Sequence, residues 1–262
     1  MVTMAEYRER GFEHEKVASD AHRWRPPGPR GVAGPRLTGP PVNYETIERA
    51  IHDDEAARAV PALCLPTLTK IAGGEVPLRA VRHPLGFLCL PVQRKGMLGV
   101  CVHVWTTGLP QAVTTTSVVH AHSWDLASFV LYGTVGNVLM HVVDDAQEGT
   151  HRVFQVHSLG DVDEMRATRR LVRCVEQHRE VVGVGSAYYL RAGDFHESVV
   201  EANPEVATVV LGRVGTASDL SLGPPDILTH RIARQRCGAR ETADAAQIVI
   251  ERLVNSSSIL DR

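Results

Sequence analysis

The sequence predicts a mostly β protein, a sandwich or barrel with helices at both ends. Between residues 78 and 222, short runs rich in valine, leucine and aromatic residues follow one another. Glycine, proline and asparagine separate these runs at regular intervals, as is typical of strands joined by turns. The flanking sequences instead repeat apolar residues at helical spacing. Together these observations favour one large β domain with helical flanks.

The composition of the 262 residues is that of a globular protein, with 44% hydrophobic and 22% charged residues. A net charge of −2 offers no basic face, so we expect no nucleic-acid partner. The five cysteines are an odd number without a Cys-x-x-Cys pair, which favours reduced thiols and a cytoplasmic location. We expect no signal peptide, because the polar N-terminal segment has no apolar h-region. We expect no membrane binding, because no apolar run approaches the ~18 residues that a span requires.

Four segments divide the chain. Residues 1–42 form a charged segment and a proline-rich arm, and residues 43–77 form an N-terminal helical segment. Residues 78–222 form the β domain, and residues 223–262 form a C-terminal helical extension. Asn43 is expected to begin the first helix, because its side chain can accept a hydrogen bond from the first helical turn.

About ten strands are predicted in the β domain. They span 85–92, 98–106, 113–120, 126–132, 135–143, 150–156, 171–175, 179–190, 195–201 and 206–213. Neighbouring acidic residues balance a group of arginines, so this group is expected on a solvated helix or loop face. These arginines are Arg166, Arg169, Arg170 and Arg173. The last predicted element is a helix from Glu241 to about Val254.

Three histidines form the pattern with the clearest chemical meaning. His120 and His122 flank Ala121 at the start of a strand-like run, and His196 lies in a second such run. Side chains two residues apart on a strand point to the same face. Sheet pairing can bring a third imidazole beside them, and neutral imidazole is a common metal ligand. The spacing therefore predicts a metal site formed by these three histidines.

The first histidine segment resembles the first motif of the cupin superfamily. That motif runs glycine, five residues, His-x-His, three or four residues, glutamate, six residues and glycine. Thr114 stands at the leading glycine, His120 and His122 match, and Gly133 closes the motif. Leu126 stands where the glutamate is expected.

The second segment resembles the second cupin motif, which runs glycine, five residues, proline, one residue, glycine, two residues, histidine, three residues and asparagine. Gly185, Gly193 and His196 match this pattern. Arg191 replaces the proline and Val200 replaces the asparagine. The resemblance covers roughly residues 80–215 and implies a cupin jelly-roll barrel, a double-stranded β-helix.

The resemblance implies a mononuclear metal site with three neutral histidine ligands, because Leu126 cannot act as a ligand. Cysteine-dioxygenase-like and diketone-dioxygenase-like cupins have sites of this kind. We therefore expect an Fe(II)-dependent oxygenase that combines dioxygen with a small polar metabolite, and Zn, Ni, Mn or Cu are alternative metals. A bulge after His122 would bring Asp125 to the metal as a fourth ligand. Because cupins commonly pair, a homodimer is expected.

Two other functions stay open at this stage. The metal can act as a Lewis acid in an isomerase or lyase that needs no dioxygen. The chain can also be a ligand-binding or regulatory cupin without catalysis.

Three residues are candidates for the catalytic pocket beside the metal. Tyr132 shares the inward parity of Leu126 on the same strand and would offer a phenol. His103 lies on the strand face opposite Val102 and Val104, so it is expected to line the cavity. Arg191 is expected near the pocket mouth, where it would pair with a substrate carboxylate.

Overall fold

A computed structural model describes residues 42–201, 205–213 and 218–260. The chain is mostly β, with two large antiparallel sheets packed together and three helices. The predicted arm, residues 1–42, lies almost entirely outside the described residues. Within the described part, no helix combines the length and apolarity needed to cross a membrane.

Fourteen strands form the two sheets of the described chain. They are β1 (Val81–His83), β2 (Phe87–Lys95), β3 (Leu98–Thr106), β4 (His120–Ala121), β5 (Asp125–Tyr132), β6 (Thr134–Asp144), β7 (His151–Leu159), β8 (Val162–Gly183), β9 (Ala187–Leu190), β10 (His196–Val199), β11 (Glu205–Arg213), β12 (Asp219–Gly223), β13 (His230–Ala233) and β14 (Gln235–Arg236). The first sheet has the order β14-β1-β2-β3-β11-β5-β9. The second has the order β13-β8-β6-β10-β4-β12-β7, with β8 also paired to β7.

The helices α1 (Tyr44–Ile51), α2 (Ala56–Ala72) and α3 (Ala239–Leu260) pack on the first sheet. Asn43 caps α1 as expected, since its Oδ1 accepts a hydrogen bond from the Thr46 amide at 2.9 Å. The outward face of β3 meets this helical layer through buried Val100, Val102 and Val104. Burial of the valine face leaves the opposite face of β3 turned towards the second sheet.

A second apolar core lies between the sheets. Its buried members come from both of them, for example Phe87 and Val210 from the first sheet and Val135 and Val182 from the second. The alternation of side chains along each strand separates this inner core from the helical layer. Residues that face inward at one end of the inner core are therefore available to form a site.

The arginine-rich segment differs from the prediction. It is part of β8, a strand of 22 residues that pairs with β6 and β7, rather than a helix or loop. Arg170 forms an ion pair with Asp144 and Arg173 forms one with Asp145, and both arginines are exposed. Pairing with two neighbouring strands stabilises an extended backbone that the charged sequence alone does not indicate.

The C-terminal extension also differs from a purely helical segment. It begins with β13 and β14, which pair with β8 and β1 respectively. The helix α3 that follows begins at Ala239 and includes the predicted range. The extension therefore completes both sheets as well as covering the first one.

Candidate metal centre

Pairing of β4 with β10 brings the three histidines together. His120 and His196 are direct partners across these strands, and His122 follows two residues after His120. The ring centroids are 4.2 Å apart for His120 and His196, 4.8 Å for His120 and His122, and 5.0 Å for His122 and His196. One nitrogen from each ring lies within 4.8 Å of the others. The three rings therefore converge on one point.

Backbone carbonyls orient two of the rings. His120 Nδ1 donates to the Val118 carbonyl at 2.9 Å, and His196 Nδ1 donates to the Asp194 carbonyl at 3.2 Å. A neutral ring that donates through Nδ1 keeps the lone pair on Nε2 for a metal ion. Hydrogen bonds of this kind orient most metal-binding histidines. The two rings are thus held in the tautomer that a metal requires.

The third ring has an unsatisfied nitrogen. His122 is buried, and its Nδ1 has no hydrogen-bond partner. Burying such a group without a partner is costly, so the site fits an ion that the three rings would share. Trp124 stacks on the His122 ring with centroids 4.6 Å apart, which restricts its rotation.

The surroundings of the three histidines favour their neutral form. Burial lowers the pKa of His120 and His122 well below the usual range, and the neighbouring rings lower both values further. Burial lowers the pKa of His196 to about 4, although the nearby Asp194 opposes this shift. All three rings therefore keep a lone pair for coordination at neutral pH.

A tight turn before β10 is hydrogen-bonded to the first histidine segment. The Gly193 amide donates to the His122 carbonyl at 2.8 Å. Gly193 has a φ of 91°, a left-handed conformation that side chains other than glycine rarely adopt. This turn places β10 so that His196 enters the site directly after it. Gly193 therefore allows the turn that positions His196 beside His120 and His122.

The histidines form one end of a narrow cavity of about 30 Å³. Its other lining residues are mainly aromatic and apolar: His83, Leu85, Phe87, His103, Trp105, Val118, Leu126, Tyr188, Ser198 and Val210. Among the described residues that line it there is no lysine, arginine, aspartate or glutamate. A bound ion would therefore be the dominant charge in this cavity.

Leu126 lines the cavity, at the position where the resemblance leads one to expect a glutamate. Asp125 points elsewhere: its carboxylate is exposed and accepts a hydrogen bond from the Ala192 amide at 2.9 Å. Asp125 therefore does not join the three histidines as a fourth ligand, because its side chain supports the turn after β9. The described histidine group includes no carboxylate.

His103 lines the cavity, on the inward face of β3. Its ring stacks on Phe87 with centroids 4.2 Å apart, and Phe87 in turn stacks on His83 at 4.4 Å. Burial lowers the pKa of His103, so it too is neutral at pH 7. It offers a substrate a hydrogen-bonding group without charge.

Tyr132 does not line the cavity, contrary to its predicted inward placement. Along β11, Thr208 pairs with Val130 and the next residue, Ala207, pairs with Tyr132, so Leu131 is an extra residue in β5. This bulge reverses the alternation, and Tyr132 packs in the helical core with its hydroxyl buried and unpartnered. Burial raises the pKa of its phenol.

Arg191 does not line the histidine cavity either, contrary to its predicted placement. Its side chain is exposed and lines a separate groove on the outer surface beside Tyr44 and Glu48. Its backbone amide donates to Asp194 Oδ2 at 3.1 Å within the turn. The turn directs the Arg191 side chain outward, so it does not contribute to the lining of the histidine cavity.

Tyr188 lines the cavity instead, a position that was not predicted from the sequence. It pairs across β5 and β9 with Ser128. Burial raises the pKa of its phenol, and the hydroxyls of Ser128 and Ser198 offset part of that shift. The alternation along β9 is the only signal in the sequence, and it does not distinguish Tyr188 from Tyr189.

A second cavity adjoins the first, with His83, Leu85 and His120 in the wall between them. Asp219 lines this second cavity. Its Oδ1 accepts a hydrogen bond from the Ser123 amide at 2.7 Å, whereas its buried Oδ2 has no partner. Burial raises the pKa of Asp219.

Neither the scan against protein-family models nor the search among curated proteins finds a match for this sequence. The functional conclusion therefore rests on the fold and on the chemistry of the histidine cavity.

Proposed function

We propose that this protein is a metal-dependent oxygenase with a cupin jelly-roll barrel. His120, His122 and His196 would hold one Fe(II) ion, and the substrates would be dioxygen and a small polar metabolite. The two packed antiparallel sheets and the order of the two histidine motifs support this proposal. Zn, Ni, Mn or Cu remain alternative metals for three imidazole ligands.

One observation carries the proposal: three neutral imidazoles converge in a buried cavity whose described lining has no carboxylate. Such a ligand set leaves the charge of a divalent ion uncompensated, which favours binding of an anionic or chelating substrate. Three protein ligands also leave open coordination positions, as catalytic sites require. When bound, Fe(II) would supply the activation of dioxygen.

The residues of this chain then have separate tasks. Phe87, Trp105 and Leu126 exclude water and restrict the size of the substrate. His103 and Tyr188 offer neutral hydrogen-bonding groups that orient it. Since the histidines serve as ligands, a proton taken up or released near the substrate would be held by the Tyr188 phenol.

Reconstitution of the metal-free protein with Fe(II) under anaerobic conditions tests the site. We expect one Fe(II) per chain, and metal analysis of His196→Ala should show at least about a tenfold loss of affinity. His141→Ala is the matched control, because His141 is an exposed histidine on β6. Undiminished iron in His196→Ala would refute the site.

Oxygen uptake tests the reaction class. The reconstituted protein should consume dioxygen with a member of a panel of small chelating compounds that carry thiol, hydroxyl or diketone groups beside an acid group. A protein that binds the metal and converts a panel member without oxygen uptake would instead be a Lewis-acid isomerase or lyase. A protein that binds no metal on titration would favour a non-catalytic role.

A further inference from the structure

A second group of metal-binding side chains lies beside the histidine cavity, on β2 and β3. The Cys89 and Cys101 sulfurs and a ring nitrogen of His103 all lie within 4.8 Å of one another. We propose that Cys89, Cys101 and His103 form a second site, specific for a thiophilic metal ion such as Zn²⁺ or Cu⁺. This site shares His103 with the histidine cavity, but it does not depend on whether the three histidines hold a metal.

The strand geometry explains why these three donors meet. Cys89 and His103 are direct partners across β2 and β3. Cys101 precedes His103 by two residues, so both side chains point to the same face of β3. The register shift between Leu90 and Gln93 lies beside Cys101 and bends the strand pair locally. The backbone thus fixes all three donors on a rigid scaffold.

The distances suit coordination after small side-chain rotations. With metal–sulfur bonds of about 2.3 Å and metal–nitrogen bonds of about 2.0 Å, donors around one ion lie roughly 3.5 to 4 Å apart. The donor atoms of the three side chains lie at most 4.8 Å apart, so no donor–donor distance exceeds that spacing by more than about 1.5 Å. Rotation about χ1 of one cysteine closes such a gap without movement of the backbone.

The charge of the group also favours a metal. Arg94 lies across the strand pair, with its Nη2 3.5 Å from Cys101 Sγ, and it stabilises a thiolate there. Gly99 leaves room for this guanidinium, since a Cβ at position 99 would lie 3.2 Å from Arg94 Nη1. Two thiolates neutralise Zn²⁺, whereas with Cu⁺ they leave one negative charge that Arg94 balances. Either ion is therefore held with at most one uncompensated charge in the apolar core.

Softness separates this group from the three histidines. Thiolate ligands select Zn²⁺ and Cu⁺, whereas imidazoles alone also accept Fe²⁺ and Ni²⁺. No other histidine, cysteine, aspartate or glutamate of the described chain joins the group, so an ion here has three protein ligands. His103 belongs to the histidine cavity as well, so occupancy of this second site would fix the orientation of one cavity wall.

Spectroscopic titration of the full chain with Co²⁺ tests this proposal. The protein is first freed of metal and kept reduced, and its thiols are counted to exclude a Cys89–Cys101 disulfide. We expect a thiolate-to-Co²⁺ charge-transfer band in the near ultraviolet that reaches its limit at one Co²⁺ per thiolate site and disappears when Zn²⁺ is added. A parallel competition of Cu⁺ against a Cu⁺-specific chelator distinguishes the monovalent ion.

Variants assign the band to this group. Cys89→Ser and Cys101→Ser should each lower the Co²⁺ affinity at least about tenfold. Cys174→Ser, at a half-buried cysteine on β8 outside the group, should retain the band. The double variant His120→Ala/His122→Ala should also retain it, which separates this site from the proposed oxygenase centre.

Two results would overturn the proposal. One is the absence of a charge-transfer band in the reduced wild-type protein, a result that depends on no variant. The other is a band that persists in Cys89→Ser and Cys101→Ser with unchanged affinity. If the wild-type protein bound no iron at the three histidines, the proposed function would be overturned, whereas the thiolate-to-Co²⁺ band would be unaffected.

Discussion

His120 and His196 face each other across paired antiparallel strands, with their ring centroids 4.2 Å apart. They are separated by seventy-five residues of sequence, and strands β5 to β9 lie between them in the chain. Backbone pairing therefore supplies the proximity, and carbonyl hydrogen bonds to both Nδ1 atoms supply the orientation. Such a preorganised pair loses little conformational entropy when an ion binds.

Introducing a carboxylate at position 126 should change the candidate metal site. We expect Leu126→Glu to destabilise the metal-free protein by about 3 to 5 kcal/mol, because the new charge is buried without a partner. A divalent ion should recover most of this loss, since the carboxylate can then bind it. Thermal unfolding with and without Zn²⁺ measures both effects. Leu126→Gln is the neutral control, and an equal Zn²⁺ response in the two variants would contradict this prediction.

The metal-free protein should lose stability in mild acid. The folded pKa of His196 is about 4, compared with 6.5 for an ordinary histidine, so the unfolded chain binds the proton first as the pH falls. The free energy of unfolding should therefore decrease between about pH 6.5 and pH 4, by about 3 kcal/mol for His196 alone. Urea unfolding across this range measures the slope. His196→Gln should flatten it, and an unchanged slope would show that His196 does not titrate in this way.

Gly212 on β11 leaves room for the Trp124 ring, which contacts the histidine group. A Cβ at Gly212 would lie 2.7 Å from the Trp124 ring, and Trp124 stacks on His122. We expect Gly212→Ala to destabilise the fold by about 1 to 3 kcal/mol through overpacking and to weaken metal binding. Gly183→Ala is the matched control, since a Cβ there has no atom within 4 Å. Equal metal affinity in the two variants would contradict the proposed support of His122 by Trp124.

The two buried tyrosines should behave differently when their hydroxyls are removed. Tyr132→Phe removes a buried hydroxyl that has no partner, so we expect a gain in stability of about 1 kcal/mol and no change in activity. Tyr188→Phe removes the only phenol that lines the described histidine cavity, so oxygen uptake with the best panel compound should fall at least about tenfold. Unchanged oxygen uptake in Tyr188→Phe together with reduced uptake in Tyr132→Phe would refute the placement of these residues.

The three histidines of the candidate metal site could be chosen from the sequence, because that choice depends on local regularities. Period-two alternation places His120 and His122 on one face, and the glycine before His196 indicates a turn. The same alternation separates the valine face of β3 from the His103 face. The helical flanks were also predictable, since their apolar periodicity and the Asn43 cap are local signals.

Tertiary structure alone decided which other residues reach the cavity. The bulge at Leu131 reverses the face of Tyr132, and it arises from the register between β5 and β11. The group of Cys89, Cys101 and His103 likewise depends on the register that places Cys89 opposite His103. Register results from pairing between strands that are distant in sequence, so alternation within one strand does not reveal it.

The sequence by itself thus determined a mostly β chain with helical flanks and the three histidines that converge. Only the tertiary structure decided that Tyr188 rather than Tyr132 lines the cavity, and that Arg191 and Asp125 lie outside it. Side-chain periodicity and turn formation depend on residues that are neighbours in sequence. Bulges and strand register depend instead on packing between strands that are distant in sequence.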